Sequence, residues 1–186
     1  MIKSFFTGKG DDGTSGLFKI SQRLPKNDPI FDLLGTLDEL NSWLGLCKAY
    51  CQNLKTKYSE LIKSILEQTQ EHIFIIQAEI AGSKKALTHS DLETIERLIH
   101  EIGKSLTPAQ SFFLPGGCVL SSYFDITRTI ARRCERIFIK AHEGHNFSNY
   151  TVLTAYLNRL SSLLYVLVRY INQAEDITEK SPTYNS

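Results

Sequence analysis

Two clusters in this chain have the residue types and spacing to handle phosphate. The first is Thr7-Gly8-Lys9-Gly10-Asp11-Asp12-Gly13-Thr14-Ser15-Gly16, glycine-rich and dotted with hydroxyls. Glycine lets backbone N–H groups turn toward an anion, and Lys9, Thr7, Thr14 and Ser15 add side-chain donors. It is not a Walker loop: Gly8 and Gly13 are correctly separated, but Thr14 stands where the lysine belongs. A mobile terminal loop of turn residues accounts for the same composition. The second cluster runs from Arg128 to Arg136. Arg128, Arg132 and Arg136 recur every four residues and share one helical stripe, with Glu135 a turn from Arg132. Guanidinium forks match phosphate oxygens, so three on one face could take a triphosphate. Salt bridges to acidic residues of neighbouring helices would satisfy them equally. Ile126, Ile130 and Ile137 make this helix largely apolar, which raises the cost of an unpartnered arginine.

Other polar residues interrupt apolar helical patterns. Asp38, Glu39 and Asn41 break one, and Asn158 and Arg159 another. Asn158, set among Tyr156, Leu157, Leu160 and Leu163, needs a partner if buried, whether ligand or protein. His142 and His145 flank Gly144 at a helix end and make a poor metal pair. No Ser/His/Asp arrangement is legible. Cys47, Cys51, Cys118 and Cys134 form no C-x-x-C pair and read as reduced core thiols.

These residues need helices to position them. Apolar residues three and four apart predict helices over residues 31–50, 58–81, 90–103, 119–142 and 150–173. Ser90 with Glu93 predicts a capping box for the third. Pro108 and Leu114-Pro115-Gly116-Gly117 break the chain before the fourth. Strand signals are thin, confined to residues 2–6 and 16–20. The expected fold is all-α: one domain, an up-and-down five-helix bundle over 28–174. A glycine-rich N-terminal loop (1–27) precedes it and a polar flexible tail (175–186) follows. At 186 residues, 42% hydrophobic and 22% charged, the chain can bury one sizeable core. A net charge of +1 argues against a nucleic-acid partner. No run of about 18 apolar residues suggests a membrane span, and no signal pattern opens the chain, so a cytoplasmic setting is expected.

Taken in order, these motifs resemble the PduO-type family of ATP:cob(I)alamin adenosyltransferases. The resemblance rests on Phe6-Thr7-x-x-Gly10-Asp11-Asp12-Gly13-Thr14; on Arg23, Lys26, Asp28-Pro29 and Gly35 to Asn41; on Phe112 to Gly117 with Arg128-Thr129 and Arg132 to Arg136; and on Tyr156 to Ser161. It implies a homotrimer with active sites at subunit interfaces, acting on ATP and a corrinoid. Thr7, Gly8, Lys9, Gly13 and Thr14 would wrap the triphosphate with Arg132 and Arg136, helped by Arg23, Lys26 and Glu135. Asn158 would hold the nucleoside side, and Asp38 with Arg128 would form a buried interface pair. Phe112 and Tyr165 would face the corrinoid, Phe112 crowding the lower axial ligand off cobalt to make Co(II) reducible. Mg²⁺ would come held by ATP phosphates, with no histidine or cysteine ligand from the protein. An electron-supplying reductase, and an adenosylcobalamin-dependent mutase taking the product, are the implied partners.

The chain departs from the family pattern at several points. Gly8-Lys9 replaces a basic residue and threonine, Asp125 a histidine, Thr127 an alanine, Ser162 an aspartate and Tyr165 a phenylalanine. Asp125 is spaced to pair with Arg128 in competition with Asp38. The chief rival reading is a non-catalytic binder that carries or senses adenosylcobalamin; a third is a helical scaffold whose arginines only make salt bridges.

Overall fold

The computed structural model describes residues 5–18, 21–53, 56 and 58–184. Five helices follow one another: α1 (Pro29–Asn53), α2 (Ser59–Ile80), α3 (His89–Lys104), α4 (Val119–His145) and α5 (Tyr150–Ala174). Each lies within a turn of the limits that its hydrophobic period predicts.

Local chemistry sets the helix ends. Pro29 suits the first position of α1, and Asp28 Oδ1 accepts the Ile30 N–H at 2.9 Å. The capping box of α3 is made by Thr88 and Asp91, not by Ser90 and Glu93. Asp91 N–H donates to the Thr88 hydroxyl at 3.3 Å, and Thr88 N–H donates to Asp91 Oδ2 at 2.8 Å. Thr88 has the extended backbone that a cap requires, and Asp91 is anchored further by His72 Nε2 at 3.5 Å. Asn146, left-handed at φ 46°, ends α4. Phe138 then stacks on Phe147 and Tyr150, at 5.3 and 5.7 Å, and closes the α4–α5 turn.

α1 packs between α2 and α4, and α5 between α4 and α3. His72 Nδ1 on α2 lies 2.9 Å from the Tyr156 hydroxyl on α5, tying the first pair to the last. α5 is long and apolar enough to cross a membrane, but Leu153, Leu157, Leu160, Leu164 and Leu167 are buried within the bundle, as in a core helix. Burial pushes the Cys47 thiol up to about 11, and those of Cys51 and Cys134 to about 12, so all three stay as inert thiols.

Two expectations give way. The strands are β1 (Thr14–Gly16) and β2 (Arg23–Pro25), antiparallel with Thr14 opposite Pro25. Arg23 selects this register by donating to the Thr14 hydroxyl and carbonyl. Phe5 and Phe6 are not in a strand; residues 2–4 and 19–20 lie outside the described residues. Residues 175–181 are not a free tail. The chain turns at Asp176 (φ 53°), Ile177 N–H donates to Asn172 O at 2.8 Å, and Leu114 N–H donates to Lys180 O at 2.8 Å. The polar groups that suggest a solvated end here hydrogen-bond back onto α5 and the connection between α3 and α4.

Candidate functional site

The connection between α3 and α4 carries Phe112 and ends in a rigid turn. Gly116 and Gly117 have φ of 122° and 137°, which glycine alone adopts without strain. A Cβ on Gly117 would also overlap Asn172 Oδ1. Asn172 Nδ2 donates to Gly116 O at 3.1 Å, and Gly116 N–H donates to Asp125 Oδ2 at 3.1 Å, so the turn is held from both sides. The other oxygen of Asp125 accepts Arg128 Nε at 3.0 Å.

Beside Arg128 opens a cleft of about 430 Å³. Phe112 and Phe113 line it from the connection, Arg128 and Arg132 from α4, and Ser162 and Tyr165 from α5. Phe112 is 81% exposed, a large apolar ring held in the open. A second hollow of about 290 Å³, walled by Pro115, Asp125, Ile126 and Thr129, lies on the other side of Arg128. On α4, Arg128 is paired with Asp125 and Arg133, off the stripe, with Glu39. Arg132 and Arg136 have no carboxylate partner among the described residues; Arg136 Nη1 only reaches Arg132 O at 3.1 Å. Two guanidinium groups are thus left to attract an anion.

The glycine-rich loop forms a second group. Gly8 and Gly13 are left-handed, at φ 69° and 80°. Arg23 and Lys26 organise the loop: Arg23 Nη2 donates to Lys9 O and Lys26 Nζ to Gly10 O, both at 2.7 Å. The Thr14 hydroxyl and N–H both donate to Asp12 Oδ1, which holds that carboxyl below its ordinary value. Thr7 Oγ1 accepts the Lys9 N–H at 3.4 Å.

The remaining expected residues fall in different surroundings. Asn158 is half-buried: its Nδ2 donates to Glu135 Oε1 at 2.8 Å, and its Oδ1 accepts from Arg159 at 2.9 Å. Asp38 is exposed, and within the chain Asp125 takes the arginine expected to pair with it, because three residues along one helix bring the two side chains together. Among the described residues no three His, Cys, Asp or Glu side chains converge to hold a metal ion. Sequence reasoning missed Arg169, Asn172 and Glu179 entirely. Asn172 and Arg169 are buried polar positions in an apolar helix, and that interruption was the one available signal.

Comparison with known proteins is consistent across its length. The sequence model of a family described as cobalamin adenosyltransferase matches residues 5–171. The corrinoid adenosyltransferase PduO of Salmonella typhimurium is 33% identical, over 97% of this chain and 54% of that protein. A corrinoid adenosyltransferase of Citrobacter freundii is 33% identical over 92% of this chain and 97% of its own length. The chain thus spans about half of the first relative and nearly all of the second. A variant PduO-type ATP:corrinoid adenosyltransferase from Lactobacillus reuteri, complexed with cobalamin and ATP, superposes with a TM-score of 0.87 at 26% identity, covering 98% of this chain and 100% of that one.

Proposed function

The chain belongs to the cobalamin adenosyltransferase family, and from that premise we propose that it transfers the 5′-deoxyadenosyl group of ATP to the cobalt of reduced cob(I)alamin. The observation that carries the reading is the cleft that an exposed Phe112 lines together with Arg128 and Arg132. Such a cleft offers an apolar surface for a corrinoid beside cationic donors for a leaving triphosphate.

The chemistry asks little of the side chains. The Co(I) electron pair attacks the 5′ carbon of ATP, the carbon–oxygen bond breaks, and triphosphate departs with the electrons of that bond. Co(I) is itself the nucleophile, so no serine, cysteine or base is needed; positioning and electrostatics suffice. Arg132 and Arg136, without carboxylate partners among the described residues, would bind the triphosphate. The glycine-rich loop with Thr7, Gly8, Lys9, Gly13 and Thr14 would close over it, kept in shape by Arg23 and Lys26. Asn158 with Glu135 would take the nucleoside side. Phe112 and Tyr165 would face the corrin. Magnesium would arrive on the ATP phosphates.

The loop and the cleft are held by separate hydrogen-bond networks. In a homotrimer the loop of one subunit would cover the cleft of the next, with Asp38 meeting a neighbour's Arg128. The buried thiols fit a cytoplasmic setting, where a reductase supplies the electron and an adenosylcobalamin-dependent mutase takes the product.

Anaerobic incubation with ATP, Mg²⁺ and chemically reduced cob(I)alamin tests the reading, with the cobalt–carbon product followed by its visible spectrum. Adenosylcobalamin with equimolar triphosphate is expected. Binding of both substrates without product would instead favour the carrier, a reading supported by Ser162 and Tyr165, two departures from the family pattern that both line the cleft.

A further inference from the structure

Besides Asp125 of α4, the anchors of the Phe112 connection come from α5 and the segment after it. Arg169, only 9% exposed, points its guanidinium at the Phe113 ring, 4.8 Å from the centroid. Its Nη2 donates to Thr107 O at 3.0 Å, where the connection begins. Its Nε donates to Glu179 Oε2 at 2.8 Å, and the other oxygen of Glu179 accepts Asn172 Nδ2 at 3.3 Å. Beyond Glu179, Lys180 O accepts the Leu114 N–H and Ser181 meets Ser111 at 2.6 Å. The connection is therefore clasped before and after Phe112, whose carbonyl accepts the Ser111 hydroxyl at 3.4 Å while its side chain lines the cleft.

Resting on the function proposed above, we propose that Arg169 and Glu179 are positioning residues for corrinoid. Arg169 holds Thr107 O and the Phe113 ring, and Glu179 fixes both Arg169 and Asn172, so that the Phe112 ring projects into the cleft at a fixed place. A loop residue that must occupy one face of a planar macrocycle needs such support, because a flexible aromatic would spend binding energy on being ordered. The near-buried Arg169–Glu179 pair, with side chains 10% and 15% exposed, suits a fixed anchor better than a surface ion pair would. Neither residue lines the cleft, so both act through the connection.

The test is a double-mutant cycle on corrinoid binding, read by spectral titration of the full chain and therefore independent of turnover. Glu179→Gln keeps the shape and one acceptor while loosening the clasp. The charge-free pair Arg169→Met with Glu179→Leu leaves no orphaned ion and guards against simple unfolding. Both should weaken corrinoid binding about tenfold, roughly 1.4 kcal/mol, with ATP affinity within about twofold of wild type. In a Phe112→Ala background the same changes should have no further effect on corrinoid. Unchanged corrinoid affinity, parallel loss of ATP and corrinoid, or full additivity with Phe112→Ala each overturns the proposal. A wild-type chain that binds corrinoid but makes no product would sink the transfer reading alone, and one that binds no corrinoid would sink both.

Discussion

Arg128 Nε donates to Asp125 Oδ1 at 3.0 Å, and the second oxygen of the same carboxylate accepts the Gly116 N–H at 3.1 Å. One buried side chain thereby couples the turn behind Phe112 to an arginine that walls the cleft. Asp125→Ala would leave a backbone N–H and a guanidinium without their acceptor. A loss of about 1–3 kcal/mol of stability is expected, together with weaker corrinoid binding. Asp125→Asn, which keeps one acceptor, should retain more of both. Thermal unfolding and spectral titration of the two variants check this; identical behaviour of the alanine and asparagine variants would argue against it.

Arg132 and Phe112 should separate in their effects. Arg132→Ala removes an unpaired cation from the cleft and is expected to cut transfer about 10²–10³-fold, as for loss of one preorganised donor. Phe112→Ala should impair the route that starts from Co(II) while leaving ATP binding intact. Steady-state kinetics with Co(I) and Co(II) corrinoids, alongside ATP titration, would distinguish them. Equal losses of ATP affinity in both variants would contradict the assigned roles.

Gly117→Ala meets two obstacles, a φ of 137° and Asn172 Oδ1 in the space a Cβ would fill. The expected cost is about 1–3 kcal/mol, visible as a lower unfolding midpoint. Gly103→Ala serves as the control, since nothing lies near a Cβ there and the position is helical. A Gly117→Ala protein as stable as wild type would mean that the turn can be remade.

Burial lowers the pKa of His72 from 6.5, against the opposing charges of Asp91 and Glu71. The unfolded chain then binds the proton first as pH falls. The stability contributed by neutral His72 is complete above about pH 6.5 and is lost progressively below it. Melting midpoints taken between about pH 7.5 and 5.5 should fall more steeply for wild type than for His72→Gln. Parallel slopes would assign the acid sensitivity elsewhere.

Alkylation of the native protein near pH 7.5 should spare Cys47, Cys51 and Cys134, whose thiols burial keeps protonated. Mass spectrometry should find the half-buried Cys118 modified first. Rapid labelling of Cys134 would show that the bundle opens more readily than its packing implies.

The five helices were legible in the sequence because hydrophobic period is a local property: Leu33, Leu37, Leu40 and Leu44 declare one buried face whatever lies against it. The arginine stripe was legible for the same reason, since a spacing of four puts Arg128, Arg132 and Arg136 in one row. Family motifs added the chemistry. Period does not say which acidic residue meets which arginine. Spacing offered Asp125 to Arg128, but only the packed chain decided that Glu39 takes Arg133 and that, among the described residues, Arg132 and Arg136 stay without a carboxylate. It also turned polar residues 175–181 from an expected flexible tail into a clasp on the Phe112 connection, through Glu179 and Arg169. Those partners lie tens of residues from the loop they hold, and hydrogen bonds over such separations are set by how helices pack, which no local spacing encodes.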